Sequence, residues 1–248
     1  MNLFLEDKIV FITGASSGIG AAAAHIFAQE GAHVAISYHH NRAGAEQTAA
    51  MVRSLNRLAI LCPMDLSNPN AISVSLSALP EPFDCLDSVV LCAGKNRITP
   101  IDQISPQEWQ DVIAVNLNGP FYVLQDLAPR IRDGGSIVIV SSVAAHTGNT
   151  HHTHYAAAKA GLVNLTKSFA RALAPRVRVN CVAPGVTLTP MGIDTVANLP
   201  DDYAEKKLLT DRFATPEEIA RWIVFVASPA AAFMTGATVD VNGGRDLR

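Results

Sequence analysis

The chain reads as an α/β protein, a single doubly wound parallel sheet of about seven strands with helices on both faces. Three observations predict this. Short apolar runs rich in β-branched residues alternate with longer, helix-favouring stretches from one end to the other, the pattern of a parallel sheet joined by right-handed crossovers. No internal repeat or low-complexity segment interrupts that alternation. Clusters of small and polar residues fall just after a strand or at the opening of the next helix, where open α/β sheets bind ligands.

The length, 248 residues, allows one large core, so 1–248 is expected to be one domain. A formal charge of −3 without a basic stripe argues against nucleic acid and for a small-molecule partner. The amino terminus enters Lys8-Ile-Val-Phe-Ile-Thr directly, without signal-peptide features, and no apolar run is long enough to cross a bilayer. A cytoplasmic protein with no membrane partner is expected. Cys62, Cys85, Cys92 and Cys181 show no Cys-x-x-Cys spacing, and three lie in or beside apolar runs, as buried reduced thiols would.

Taken in order, Ile9-Val-Phe-Ile is a strand, followed by Thr13-Gly-Ala-Ser-Ser-Gly-Ile-Gly20 and a helical stretch to Glu30. Strand, glycine-rich turn and helix opening form an anion cradle, because the backbone can approach a phosphate that the helix N-terminus attracts. The spacing Gly-x-x-x-Gly-x-Gly differs from the Gly-x-Gly-x-x-Gly fingerprint, and a tight structural turn is the competing reading. A second strand, 33–37, ends at Tyr38-His-His-Asn-Arg42, where a dinucleotide fold places an acid on a ribose 2′-hydroxyl or a base on a 2′-phosphate. No acid is present there. His39, His40 and Arg42 therefore favour NADP(H) over NAD(H), against the reading of a solvated polar loop.

A helix to Leu55 and a strand ending at Cys62-Pro-Met-Asp65-Leu66 come next. Asp65 either accepts from an adenine amine or caps the helix near Pro69. Asp87-Ser-Val-Val-Leu-Cys-Ala-Gly94 is a strand ending in small residues that let the backbone pass close to a flat ligand. Helical sequence from Pro106 to about Ile131 carries Asn116, either a satisfied core amide or a water-holding group. Gly134-Gly135 is expected to end that helix and open the strand that delivers Ser142 at its carboxyl end.

The helix-favouring run from Tyr155 to Leu173 places Tyr155 and Lys159 four residues apart on one face. An ammonium there favours the phenolate and is expected to bring the tyrosine pKa down toward a working range. Ser142 could hydrogen-bond the oxygen that gains or loses the proton. A sixth strand, 178–183, leads to Pro184-Gly185-Val-Thr-Leu-Thr189-Pro190, and the weakly periodic residues 188–210 read as a substrate lid. Pro216-Glu-Glu opens the last helix, and 237–241 forms the last strand. His151, His152 and His154 lack a spaced carboxylate or cysteine partner, so no metal is expected. They either line a pocket mouth or lie in a solvated loop.

Together these residues resemble the short-chain dehydrogenase/reductase family over essentially the whole chain. Thr13-Gly-x-x-x-Gly-x-Gly20 is similar to its cofactor loop, Cys92-Ala-Gly94 to its Asn-Ala-Gly motif, and Asn116, Ser142, Tyr155 and Lys159 to its catalytic tetrad. The resemblance implies a Rossmann-type fold and hydride transfer between a nicotinamide and a carbonyl or secondary alcohol. It makes Tyr155 the proton donor in reduction, with Lys159 lowering its pKa and holding the nicotinamide ribose. Ser142 would polarise the carbonyl and Asn116 hold a relay water. Gly14, Ser16, Ser17, Gly18, Ile19 and Gly20 would line the pyrophosphate. Tyr38, His39, His40 and Arg42 would meet the adenosine ribose, Asp65 and Leu66 the adenine, and Cys92, Ala93 and Gly94 would border that ribose. Pro184, Gly185, Val186 and Thr189 would face the nicotinamide. Two departures stand out: Cys92 replaces the usual asparagine, and Ser17 sits where NADP-preferring members often carry a base.

Within the family the chain is most similar to 3-oxoacyl-acyl-carrier-protein reductases, in length, short lid and Arg212-Phe-Ala-Thr-Pro-Glu-Glu. This implies a small or carrier-bound carbonyl substrate, with Arg130, Arg132 and Arg176 as a docking patch or as solvated helix ends, and a homotetramer. Sugar, polyol and secondary-alcohol dehydrogenases share the motifs, and a non-catalytic dinucleotide-binding regulator is the alternative of another class.

Overall fold

In the computed structural model, which describes residues 2–248, seven parallel strands form one sheet in the order β3-β2-β1-β4-β5-β6-β7. The first half comprises β1 (Ile9–Thr13), α1 (Gly18–Gln29), β2 (His33–Tyr38), α2 (Arg42–Ser54), β3 (Ala59–Pro63), α3 (Pro69–Ser77) and β4 (Leu86–Leu91). The second half comprises α4 (Pro106–Ile113), a π-helical turn (Ala114–Asn118), α5 (Gly119–Leu127), β5 (Ile131–Val140), α6 (Ala144–Thr147), α7 (Thr153–Leu173), β6 (Val177–Pro184), α8 (Pro190–Val196), α9 (Tyr203–Lys207), α10 (Pro216–Ala227) and β7 (Thr238–Val241).

The central strands are buried on both faces, which is why they read as continuous apolar runs rather than as alternations. One core joins Phe27 of α1, Val52 of α2 and Ile223 of α10 to one face, and the other joins Leu76 of α3, Leu124 of α5 and Leu162 of α7 to the opposite face. β1 pairs with β2 on one side and β4 on the other, so the strand order reverses there and a crevice opens at their carboxyl ends.

Several boundaries differ from expectation. The helical stretch from Pro106 runs to Arg130 as expected, but not as one α-helix: it widens into the π turn around Asn116 and, after α5, tightens into a 3₁₀ turn (Ala128–Arg130) around Pro129 before β5 begins at Ile131. Gly134-Gly135 consequently lies inside the irregular start of β5, where the register to β4 shifts. Asp65 does not cap α3; Asn68 does, accepting from the backbone N–H groups of Asn70 and Ala71 at 3.0 and 3.2 Å. The segment 188–210 is not wholly irregular, since it holds α8 and α9. Its ends are stitched by bonds from Leu188 N to Ala214 O and from Ala214 N to Val186 O, so it leaves and rejoins the body at one place.

Candidate active site

A cleft of about 1300 Å³ runs along the carboxyl ends of the strands. Its floor begins with the turn after β1. Gly14 has φ +68°, and a Cβ there would stand 2.7 Å from Ala93 Cα, so the turn and the end of β4 pass at a distance only glycine allows. The Thr13 hydroxyl accepts from Cys92 N and Ala93 N at 3.0 and 3.1 Å. It holds the end of β4 by its backbone, so the Cys92 side chain is not needed for that task; burial pushes that thiol up to about 12, holding it as an inert SH.

α1 opens on this turn with no side-chain cap and no acid in its first turn. α10, by contrast, has a full capping box between Thr215 and Glu218, with Glu217 as a second acid in its first turn. The first N–H groups of α1 thus face the cleft without an acidic competitor, which suits an anion. With the Gly14 approach, this donor set fits the pyrophosphate of a dinucleotide. The expected residues of the turn, together with Tyr38, His39, His40, Asp65, Leu66, Cys92, Ala93, Gly94, Pro184, Gly185, Val186 and Thr189, line the cleft.

Arg42 does not line it. Its guanidinium turns to Glu46, 3.5 Å away on the same helix, and is mostly exposed. Asn41 takes the inward place, capping α2 through Gly44 N and donating to Ser16 O at 3.2 Å. Asp65 is engaged with Ser67 N and Oγ, and its other oxygen lies 3.8 Å from His39 Nε2. The Ser67 hydrogen bond holds the Asp65 carboxyl below its usual range. The His39 and His40 rings stand 3.5 Å apart, tilted by 33°.

Ser142, Tyr155 and Lys159 meet beyond the end of β5. α7 is fixed to that strand twice, by Ser141 Oγ donating to Lys159 O at 2.8 Å and by Lys159 Nζ donating to Val140 O at 2.8 Å. Gly161 lets Leu117 of the π turn approach, since a Cβ there would lie 2.8 Å from Leu117 Cδ1. Lys159 Nζ lies 5.5 Å from the Tyr155 ring centroid. Ser142 Oγ accepts from Ala144 N at 3.2 Å and hydrogen-bonds the Tyr155 side chain.

The electrostatics correct one expectation. Burial pushes the Tyr155 phenol up to about 12, outweighing the Ser142 hydrogen bond that pulls it down. Burial also pushes the Lys159 ammonium down to about 8. The i, i+4 spacing is as expected, but desolvation is the largest influence on each group and disfavours both charged forms. At neutral pH the pair is a phenol beside an ammonium.

Asn116 is fully buried and does not line the cleft. Its amide donates to Lys95 O and Val112 O at 2.7 and 2.8 Å and accepts from Lys95 N at 3.1 Å. The side chain is a clamp on the loop after β4, so a relay water would have to be held by other groups of the π turn.

The three histidines separate. His151 is exposed on the cleft rim, and His152 is buried with Nδ1 2.9 Å from Asn96 Oδ1. His154 is fully buried, with Nε2 3.0 Å from Glu108 Oε1 and Nδ1 accepting from Tyr155 N at 2.8 Å. With Nδ1 taken by the Tyr155 N–H, Nε2 is the ring nitrogen placed to donate to the carboxylate. Among the described residues no three His, Cys, Asp or Glu side chains gather as metal ligands. Nor, among these residues, is any helix long and apolar enough to cross a membrane.

Arg130 precedes β5, Arg132 is the second residue of that strand and Arg176 precedes β6, all at the end of the sheet opposite the cleft. Arg130 donates to Leu76 O, Arg132 pairs with Asp87 at 2.7 Å, and Arg176 donates to Ala128 O and Ile131 O. Within the chain they are structural. Residues that local pattern did not single out are Thr13, Asn41, and the pair Tyr203 and Arg245, which line the cleft from α9 and from the carboxyl-terminal tail.

A nicotinamide-linked oxidoreductase is the class this crevice and its Ser-Tyr-Lys cluster define. A family model described as enoyl-(acyl carrier protein) reductase matches residues 14–246. D-threitol dehydrogenase of Mycolicibacterium smegmatis is 36% identical, covering 98% of this chain and 95% of its own. A 3-oxoacyl-acyl-carrier-protein reductase of Thermotoga maritima is 36% identical, covering 97% and 98%. A glucose/ribitol-type short-chain dehydrogenase/reductase structure from Brucella melitensis superposes with a TM-score of 0.93 at 33% identity over the full length of both chains. A short-chain dehydrogenase from Burkholderia cenocepacia in complex with NADP superposes at 0.92, with 31% identity over 98% and 99%. The chain belongs to the short-chain dehydrogenase/reductase family. It is an oxidoreductase acting on CH–OH donors and their carbonyl counterparts.

Proposed function

We propose that the chain reduces a ketone with NADPH, Tyr155 delivering the proton. The observation that carries this reading is the resting state of the pair: a phenol held protonated by burial beside an ammonium, with Ser142 on it. The cofactor, when bound, supplies the hydride. Ser142 Oγ accepts from Ala144 N and hydrogen-bonds the Tyr155 hydroxyl, and the proton of that second bond turns to the substrate oxygen when one enters. That oxygen takes a place between the Ser142 and Tyr155 hydroxyls, and Tyr155 Oη gives up its proton as the oxygen gains charge. Lys159, with one donor on Val140 O, turns its remaining N–H groups to the ribose hydroxyls and offsets the charge left on the phenolate. Residues 188–210 act as the lid over the site.

A 3-oxoacyl thioester is the first substrate candidate, by likeness to the acyl-carrier-protein reductase relatives. A second reading, a sugar or polyol, is favoured by the wall opposite the cofactor cradle, where Asn96, Gln110, Asn149, Asn198 and Tyr203 present amides and a hydroxyl, and by likeness to D-threitol dehydrogenase. NADPH is preferred to NADH on the strength of His39 and His40, without Arg42. Four chains assemble, burying aromatics such as Phe121 on α5 and Trp222 on α10, both exposed in the single chain; sedimentation showing only monomer would contradict this.

The test is absorbance at the reduced-nicotinamide band with either cofactor and a 3-oxoacyl thioester, a polyol and a simple ketone. Turnover lowered about 10²–10⁴-fold by Tyr155→Phe, with cofactor binding retained, is expected. Unchanged turnover in that variant would overturn the assignment, and turnover with the polyol alone would select the second reading.

A further inference from the structure

Arg245 lines the cleft yet takes part in no ion pair among the described residues. The other charges there are matched. Asp111 lies 3.8 Å from Lys95, Asp65 is held by Ser67 and His39, and Lys159 serves the catalytic pair. Arg245 is also held in place. Its Nε donates to the Tyr203 hydroxyl at 2.7 Å, its backbone N–H donates to Asn242 O at 3.2 Å, and Leu209 N donates to Gly243 O at 2.7 Å, tying the lid to the tail. Tyr203 in turn stacks on Phe213 with centroids 6.2 Å apart.

Because Nε is the atom engaged, and the guanidinium otherwise lies against the Tyr203 ring with Cζ 5.9 Å from its centroid, both terminal nitrogens keep their N–H groups without a hydrogen-bond partner among the described residues. Because the Tyr203 oxygen accepts, its own proton remains to be donated. A planar fork and a hydroxyl, side by side and facing the same cleft, match two oxygens of one anionic group.

We infer that Arg245 and Tyr203 form a subsite for an anionic oxygen group, a carboxylate or a phosphate, on the substrate's far end from the reacting carbon. This rests on the oxidoreductase reading of the cleft and narrows it, since the substrate is then an anionic ketone or alcohol rather than a neutral one. Binding of the anion spans tail and lid, so it also closes the lid at α9.

The experiment compares a keto acid with its methyl ester, and a sugar phosphate with the free sugar, in the wild-type enzyme and in Arg245→Gln and Arg245→Lys. Steady-state turnover is measured alongside calorimetric binding of each compound. The expected result is tighter wild-type binding and lower KM for one of the anions than for its neutral counterpart. Arg245→Gln raises that KM about tenfold or more beyond any rise it causes for the neutral compound, and Arg245→Lys restores part of the difference. The acid pair and the phosphate pair distinguish the two anions. If Arg245→Gln raises KM equally for charged and neutral compounds, or for neither, Arg245 is only a lid latch and the subsite is refuted while hydride transfer stands. Anion binding that depends on Arg245 without turnover of any compound would instead uphold the subsite and count against the oxidoreductase reading.

Discussion

Replacing Lys159 by methionine is expected to abolish turnover and to flatten the dependence of stability on pH. Lys159 Nζ is 3% exposed as a residue and has a single carbonyl partner, Val140 O. Burial lowers its pKa from 10.5 to about 8. The unfolded chain therefore holds this proton more tightly than the folded one, and between pH 8 and 10.5 unfolding takes up a proton. Stability contributed by this group is absent below pH 8, rises through that interval and is complete above 10.5. The 2.5-unit difference corresponds to about 3 kcal/mol, of which about 2.5 kcal/mol is recovered between pH 7 and 10. Methionine removes the proton and hence the slope, while leaving Val140 O unpaired at about 1–3 kcal/mol, so at pH 7 the variant should be close to the wild type. The assay is urea denaturation of both proteins at one concentration across pH 7–10. The wild type should gain about 2.5 kcal/mol on the variant over that range. Parallel curves would refute the buried-ammonium account.

Three further outcomes are expected. Replacing His39 and His40 together by alanine should raise KM for NADPH several-fold and leave KM for NADH unchanged, as steady-state kinetics with each cofactor would record; an equal effect on both would remove the 2′-phosphate assignment. Arg42→Ala, by contrast, should change neither constant, because its guanidinium faces Glu46 outside the cleft. His154→Leu leaves the buried Tyr155 N–H without its acceptor and should cost about 1–3 kcal/mol in denaturant unfolding; a variant as stable as the wild type would show that helix α7 does not need this ring.

The strands were legible because a sheet buried on both faces demands uninterrupted apolar, β-branched runs, and these carry their own signature in residues such as Ile9–Thr13. The Tyr155–Lys159 spacing was legible because four residues on a helix is a local matter. What local pattern could not carry was whatever the tertiary structure decides. The π turn at 114–118 goes with Asn116 reaching back to both backbone groups of Lys95, 21 residues earlier. Within 188–210, α9 is only five residues long, and it is held by Tyr203, which stacks on Phe213 and meets Arg245, 42 positions away. Arg42 was misplaced for a related reason: a base at the right distance after β2 says nothing of which way its side chain turns, and Glu46 one helical turn on settles that.

The sign of the Tyr155 shift shows the same division between spacing and environment, and it has a kinetic consequence. With the phenol at about 12 and the ammonium at about 8, the pair holds both protons at neutral pH, the state that reduction needs. Loss of one proton gives two forms of equal charge, phenol with amine and phenolate with ammonium, which exchange without further titration. Only the second can accept the alcohol proton in oxidation. A single macroscopic step near pH 8 should therefore switch the site: kcat for reduction falls and kcat for oxidation rises through the same apparent pKa. Lys159→Arg, whose guanidinium stays charged over this range, should move that step upward in both directions if it preserves the fold and cofactor binding. Profiles with unrelated midpoints in the wild type would mean that the two residues titrate independently.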